Sequence, residues 1–349
     1  MDVNKLLQDA LAAGASDIHI EPMDDAVRIR WRRDGVLCQA GCLHKSSLEK
    51  LVSRIKVLAG LDIANRRLPQ DGRIVWKDGN RRLDLRVRTL PTVRREKVVI
   101  RILDGQRIPL DLSALGMDDQ ARRCLERLIR CRQGLIVICG PTGSGKTTTL
   151  YAALHEIQDD SVSIATLEDP VEILMEGVSQ SQVQAKGGMM FQDGLRALLR
   201  QDPDILVVGE IRDSETARIA VRAALTGHVI FSTLHAPSAV EAVIRLTDMG
   251  IAPYLAADAL AGVVSQRLVR RKTKAGTYEG RFCLCEVVPA GRHLRTAIRS
   301  RAGVAALTEA ARNDGAVLLT DVIARVLAAG WTDEQEIRRV CEGGEARWT

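Results

Sequence analysis

At 349 residues, with 46% hydrophobic and 27% charged residues, the chain has the composition of a globular protein that buries two cores of unequal size, not that of a fibrous or disordered one. The net charge of +6 suits an anionic ligand or surface, but aromatic residues make up only 3% of the chain, so base-stacking platforms and nucleic-acid partners are not expected. No apolar run reaches the ~18 residues of a bilayer span, and Met1-Asp2-Val3-Asn4-Lys5 lacks the pattern of a secretory signal, so a cytoplasmic location is expected.

In chain order, Val3 to Ala13 carries apolar residues at helical spacing and stops at Gly14. Strand patterns follow at Asp17 to Ile20 and Val27 to Trp31, and Arg33-Asp34-Gly35 turns the chain into Val36-Leu37. Leu48 to Ala59 is again helical and ends at Gly60. Arg73 to Trp76, Leu83 to Arg88 and Lys97 to Ile102 alternate apolar and polar residues, with a turn at Lys77-Asp78-Gly79-Asn80. These elements predict a small α+β domain over 1–103. Its basic residues outnumber its acids between Arg28 and Arg101, which fits a solvated basic face, a membrane-facing surface, or arginines aimed at a nucleotide held by a neighbouring domain. Asp104-Gly105-Gln106 and Pro109 predict a linker over 104–112.

From Ser113 to the C-terminus the pattern changes to helix alternating with buried strand, the mark of a mostly parallel α/β sheet covered on both faces. Four apolar strands end in polar residues: Leu135–Cys139 in the glycine-rich turn, Ser163–Leu167 in Glu168-Asp169, Ile205–Val208 in Gly209-Glu210, and Val229–Leu234 in His235. Ligands of open α/β sheets sit beyond the carboxyl ends of the strands, so these four sets are expected to meet at one site. Val304 to Gly330 and Asp333 to Cys341 read as terminal helices. The eight cysteines, Cys38, Cys42, Cys124, Cys131, Cys139, Cys283, Cys285 and Cys341, are scattered and have the usage of reduced thiols. Cys38-x-x-x-Cys42 and Cys283-x-Cys285 lack a second pair or a histidine at ligand spacing, which disfavours zinc.

Gly140-Pro141-Thr142-Gly143-Ser144-Gly145-Lys146-Thr147-Thr148, between a buried strand and a helix beginning near Thr147, matches the phosphate-binding loop of nucleoside triphosphatases. Its glycines let backbone N–H groups converge on an anion at a helix N-terminus; Lys146 is expected at the β- and γ-phosphates and the Thr147 hydroxyl on Mg²⁺. ATP and Mg²⁺ are therefore the expected ligands. Glu210 stands where the water-activating base of ATP hydrolysis belongs, and Glu168 is placed to hold Mg²⁺ or the water. His235, at a strand's carboxyl end, is the candidate γ-phosphate sensor, whereas His228 suits a hydrogen-bonded structural role as well as a catalytic one. Arg196 and Arg200, four residues apart, share a face if helical.

Over nearly the whole chain the sequence resembles the type II secretion and type IV pilus assembly ATPases, a branch of hexameric P-loop motors. The resemblance rests on Ala15-Ser16-Asp17-Ile18-His19-Ile20-Glu21-Pro22, Arg67-Leu68-Pro69-Gln70-Asp71-Gly72-Arg73, the phosphate loop, Glu168-Asp169-Pro170-Val171-Glu172, Gly209-Glu210-Ile211-Arg212-Asp213, and the histidine box from Thr226-Gly227-His228 to His235. It implies a RecA-like motor domain behind a small N-terminal domain, a ring of six, an inner-membrane platform protein as partner, and peripheral association with the membrane. It also implies that Arg86, Arg101, Arg196 and Arg200 stand near the phosphates. Secretion members usually carry a further N-terminal domain and a four-cysteine zinc module after a segment like Ser265 to Arg271. Here Lys272-Thr273-Lys274-Ala275-Gly276 runs into Tyr278, which looks like the compact version associated with competence pseudopili. Arg95 also replaces a glycine usual before Glu96. Assembly of a pilus or pseudopilus is the expected work; a retraction motor is disfavoured by Glu21-Pro22 and the 66–73 stretch, and a DNA-translocating ATPase is the rival suggested by charge. Lys146, Thr147 and Glu210 together disfavour a non-hydrolysing scaffold.

Overall fold

The computed structural model describes residues 2–78, 81–104, 109–183 and 189–341. The chain divides into two compact units, Met1–Ile108 and Pro109–Thr349. The segment 105–108 of the expected linker lies outside the described residues, as do Gly79 and Asn80 of the expected turn.

The first unit comprises α1 (Val3–Ala12), β1 (Asp17–Pro22), β2 (Ala26–Arg33), β3 (Val36–His44), α2 (Leu48–Leu58), β4 (Gln70–Asp78), β5 (Arg81–Pro91) and β6 (Glu96–Leu103). The strands form an antiparallel sheet in the order β3-β2-β1-β6-β5-β4. Alternation decides what each face carries. Ile18, Ile20, Val27, Ile29, Leu85, Val87, Val98 and Ile100 pack with Leu6 and Leu7 of α1 and Leu51 and Ile55 of α2 in one core. The intervening positions carry the basic surplus, and acids are set among it. Asp17 pairs with Arg101 at 2.9 Å, and Asp71 with Arg88 at 2.9 Å. Buried Glu21 is held by Arg28 at 3.1 Å, Arg30 at 2.8 Å and Lys97 at 3.0 Å. Arg95 is tolerated in its turn because Thr92 N–H donates to the Arg95 carbonyl at 2.9 Å without a left-handed residue at that position.

The second unit begins with a 3₁₀ turn at Leu112–Leu115 and α3 (Asp119–Leu128). It continues through β7 (Gly134–Cys139), α4 (Lys146–Ile157), β8 (Ile164–Glu168), β9 (Ser179–Gln182), α5 (Phe191–Leu198), β10 (Ile205–Val208), α6 (Ser214–Leu225) and β11 (Val229–Leu234). After α7 (Ala239–Asp248) and α8 (Pro253–Ala259) come β12 (Leu260–Lys272) and β13 (Tyr278–Pro289), then α9 (Arg292–Arg299), α10 (Val304–Asn313), α11 (Leu319–Ala328) and α12 (Glu334–Cys341). The sheet order is β13-β12-β7-β11-β10-β8-β9, parallel except for the β12–β13 pair. Leu135 and Val137 join one core with α6, α7 and α8, while Ile136 and Ile138 join a second with α3 and α4. Burial on both faces explains why these strands read as unbroken apolar runs.

The mixed α/β architecture with a mostly parallel sheet is as expected, with additions. β9, Ser-Gln-Ser-Gln, is an edge strand with no apolar signal, and β12 pairs parallel to β7 and turns back through Gly276, whose φ is +80°, into β13. One expectation is corrected: Arg196 and Arg200 do not share a helical face. α5 stops at Leu198, and Arg200 lies in the following turn before Asp202, at φ +53°, and Pro203. Proline disfavours helical geometry in the residue before it, which ends the helix early. Cys38, Cys42, Cys124, Cys131, Cys139, Cys283 and Cys285 carry free thiols, and no cluster of metal-ligating side chains occurs among the described residues. No helix among them is long and apolar enough to cross a membrane.

Burial alone would raise the Glu21 pKa, but the bonds from Arg30 and Lys97 outweigh it and bring the carboxyl to about 2 from 4.5. A depressed folded-state pKa contributes stability that is present above about pH 4.5 and lost as pH falls towards 2. Glu21→Gln is therefore expected to lower stability at pH 7 by roughly 1 kcal/mol, since the partners are part-exposed, and to flatten the loss between pH 4.5 and 2. Thermal melts across that range check it; an acid limb as steep as that of the wild type would contradict it.

Candidate nucleotide site

β7 ends at Cys139 and α4 begins at Lys146, so the six residues between them form the turn. Gly140, Gly143 and Gly145 adopt φ of +146°, +78° and +86°, which side-chain-bearing residues rarely take. Gly140 is also pinned by space: a Cβ there would lie 2.5 Å from the Gln266 carbonyl oxygen and 2.7 Å from Ser144 Oγ. Gly145 caps α4 without a side chain, so the first amide N–H groups of the helix are open to an anion. Ser144 is buried, and its hydroxyl has no hydrogen-bond partner. Lys146 Nζ donates to the Gly140 and Pro141 carbonyls, both at 3.0 Å. Burial pushes its pKa down while the negative charge of Glu210 pulls it up. A turn whose glycines take backbone angles closed to other residues, an unmet buried hydroxyl and an ammonium beside it together fit the phosphates of a nucleoside triphosphate.

The sheet order sets the surroundings. β11 lies beside β7, β10 beside β11 and β8 beside β10, so His235, Glu210 and Glu168 follow the loop in sequence across the carboxyl edge, strand by strand at about 4.8 Å each. Glu210 pairs with Arg212 and stands 3.8 Å from His235 Nε2. Burial, reinforced by the Lys146 charge, holds His235 below its ordinary pKa, so the imidazole is neutral at neutral pH. Glu168 is buried and its carboxylate is engaged on several sides. Tyr151 of α4 donates its hydroxyl to Glu168 Oε2, Thr166 donates to Oε1 at 2.7 Å, and Gln180 Nε2 donates to Oε1 at 3.2 Å.

The remaining candidates sit elsewhere. Thr147 and Thr148 lie in the first turn of α4, half-buried. Arg86 and Arg101 are directly opposite each other on β5 and β6 of the first unit, Arg101 with Asp17 as counterion. Arg196 pairs with Asp193 at 3.4 Å and with Glu215, and Arg200 is exposed. His228 precedes β11, at the end of that strand away from His235, and its Nδ1 lies 3.1 Å from the Ala223 carbonyl oxygen. Sequence reasoning missed Tyr151, Thr166 and Gln180 around Glu168, and Gln266 against the loop. Their signal was faint: Tyr151 and Thr166 are single polar groups among apolar neighbours, whereas Gln180 and Gln266 stand among other polar residues that give neither any prominence.

A family model described as Type II/IV secretion system protein matches residues 1–339. The type II secretion system protein E of Pseudomonas aeruginosa is 42% identical, over 97% of this chain and 74% of its own length. The type II secretion system ATPase E of Vibrio cholerae is 51% identical over 77% of this chain, but the match spans only 53% of that protein. Among solved structures, the pilus retraction motor PilT with bound ADP aligns with a TM-score of 0.70 and 26% identity, covering 96% of both chains.

Tyr151→Phe removes one donor from a buried carboxylate and is expected to destabilise the second unit by about 1–3 kcal/mol. Chemical denaturation checks it; an unchanged midpoint would mean that Thr166 and Gln180 suffice for Glu168.

Proposed function

This chain belongs to the type II/IV secretion system protein family, and we propose that it is a Mg²⁺-dependent ATPase working as a ring of six. Its place is cytoplasmic, peripheral to the inner membrane, where it drives assembly of a type II secretion pseudopilus or a type IV pilus through a membrane platform protein. The observation that carries this reading is the run of loop, His235, Glu210 and Glu168 along one carboxyl edge of the sheet. The secretion proteins are more similar to the chain than the retraction motor is, which supports assembly over retraction.

In this reading the loop amides and the open start of α4 bind phosphate oxygens, and Lys146 exchanges two carbonyls for the β- and γ-phosphates. Thr147 and Glu168 would hold Mg²⁺, which would supply neutralisation of the phosphate charge when bound. Glu210 takes the proton of the attacking water. It is favoured over Glu168 because its strand lies nearer the loop and its carboxylate is not wrapped by three side-chain donors. Neutral His235 donates its one ring N–H to the γ-phosphate. Arg86, Arg101, Arg196 and Arg200 supply positive charge for the transferred group.

Lys146→Ala is expected to abolish phosphate release, and Glu210→Gln to lower kcat by ~10²-fold or more while Mg-ATP still binds. A larger loss in Glu168→Gln than in Glu210→Gln would exchange the two acidic roles. Arg86→Gln or Arg101→Gln should lower kcat by ~10-fold or more, and Arg82→Gln should not. Equal small effects at all three arginines would return the basic face to a solvated or lipid-facing role.

A further inference from the structure

Gln266 lies on β12, the strand next to β7, and is 1% exposed although it carries an amide. Its Nε2 donates to the Ser144 carbonyl of the phosphate loop at 2.6 Å, while its Oε1 has no hydrogen-bond partner. A buried acceptor left unmet is costly, so an apolar side chain of the same size would suit this strand better were packing its only task. Backbone contact adds to the grip, because the Gln266 carbonyl occupies the space where a Gly140 Cβ would go. Arg267 continues the link in another direction. Its Nη1 donates to the Gln266 carbonyl at 3.0 Å and its Nη2 to the Pro237 carbonyl at 2.6 Å, two residues beyond His235. Further along β12, Arg270 is clamped by the buried Glu336 of α12, which accepts from its backbone N–H at 3.0 Å and from Nη2 at 2.7 Å. The two residues are thus tied to the phosphate loop, to the histidine-bearing loop and, through their strand, to a C-terminal helix.

We propose that Gln266 and Arg267 are positioning residues of the nucleotide site: Gln266 holds the phosphate loop in shape by its Ser144 carbonyl, and Arg267 transmits occupancy of that loop to the segment carrying His235. This rests on the nucleotide-binding reading above. In hydrogen exchange of the full chain, Mg-ADP should protect 140–147, 264–268 and 235–239 together. Gln266→Met should speed exchange of 140–147 without nucleotide, weaken Mg-ADP binding by ~10-fold, and raise KM for ATP by more than it lowers kcat. Arg267→Met should leave 140–147 protected by Mg-ADP and uncouple 235–239. A purely structural role would lower the melting temperature with Mg-ADP affinity unchanged. That outcome in folded Gln266→Met, or separate protection of the three segments in the wild type, overturns the proposal. Should Gln266→Met not fold, Gln266→Glu of the same size is read in the same assays, and the wild-type protection pattern decides alone if neither folds. Loss of Mg-ADP binding in Lys146→Ala with full affinity in Gln266→Met sinks only this proposal; full affinity in both sinks the nucleotide site itself.

Discussion

A parallel sheet buried on both faces has no room for polar side chains along its strands, and the second unit is built under that constraint. β7 and β10 are apolar on both sides, and with Val229, Ile230, Phe231 and Leu234 of β11 they fill two separate cores. Most polar groups are admitted where a strand ends or where a partner meets them inside, with Ser265 and Gln266 of β12 the exceptions. The first case puts the phosphate loop, His235, Glu210 and Glu168 on one edge; the second produces the pocket of donors around Glu168. Polar and charged groups collect at the carboxyl edge because that is where the constraint is lifted.

The first unit obeys the opposite rule. Its antiparallel sheet has helices on one face only, so every second residue is free to be charged. That freedom explains a surplus of arginine without requiring a nucleic-acid surface, since Glu21, Asp17 and Asp71 pair with members of it. Glu21 is the most tightly held of these acids, with three cations around one buried carboxylate.

Within the site the two acids differ in surroundings more than in sequence context. Both follow an apolar strand, but Glu168 is anchored by α4, β8 and β9 at once, whereas Glu210 faces a histidine and an arginine. Three donors fix the Glu168 carboxylate in place while leaving it acceptor capacity, whereas Glu210 has the more open positions at which a proton can be exchanged. Tyr151 is the physical link between the helix that starts at the phosphate loop and the strand that ends in Glu168.

Elements dictated by local pattern were legible in the sequence: the apolar strands at 135–139, 205–208 and 229–234, the helices closed by Gly14 and Gly60, and the loop whose glycines take positive φ. Signals are strong there because periodicity, turn chemistry and burial agree within a few neighbouring residues. β9 escaped because four polar residues recruited to an edge by β8 carry no pattern of their own. Arg200 was misplaced because a propensity for helix yields to the turn before Pro203. Strand order, the donors on Glu168 and the grip of Gln266 on Ser144 were also invisible, the last of these joining residues 122 positions apart. The chain's residues by themselves marked the candidate groups, the glycine-rich loop with Lys146, Glu168, Glu210 and His235. Only tertiary structure decided which of them are neighbours, because long-range pairing is set by how the two cores close around the sheet and not by any local run of residues.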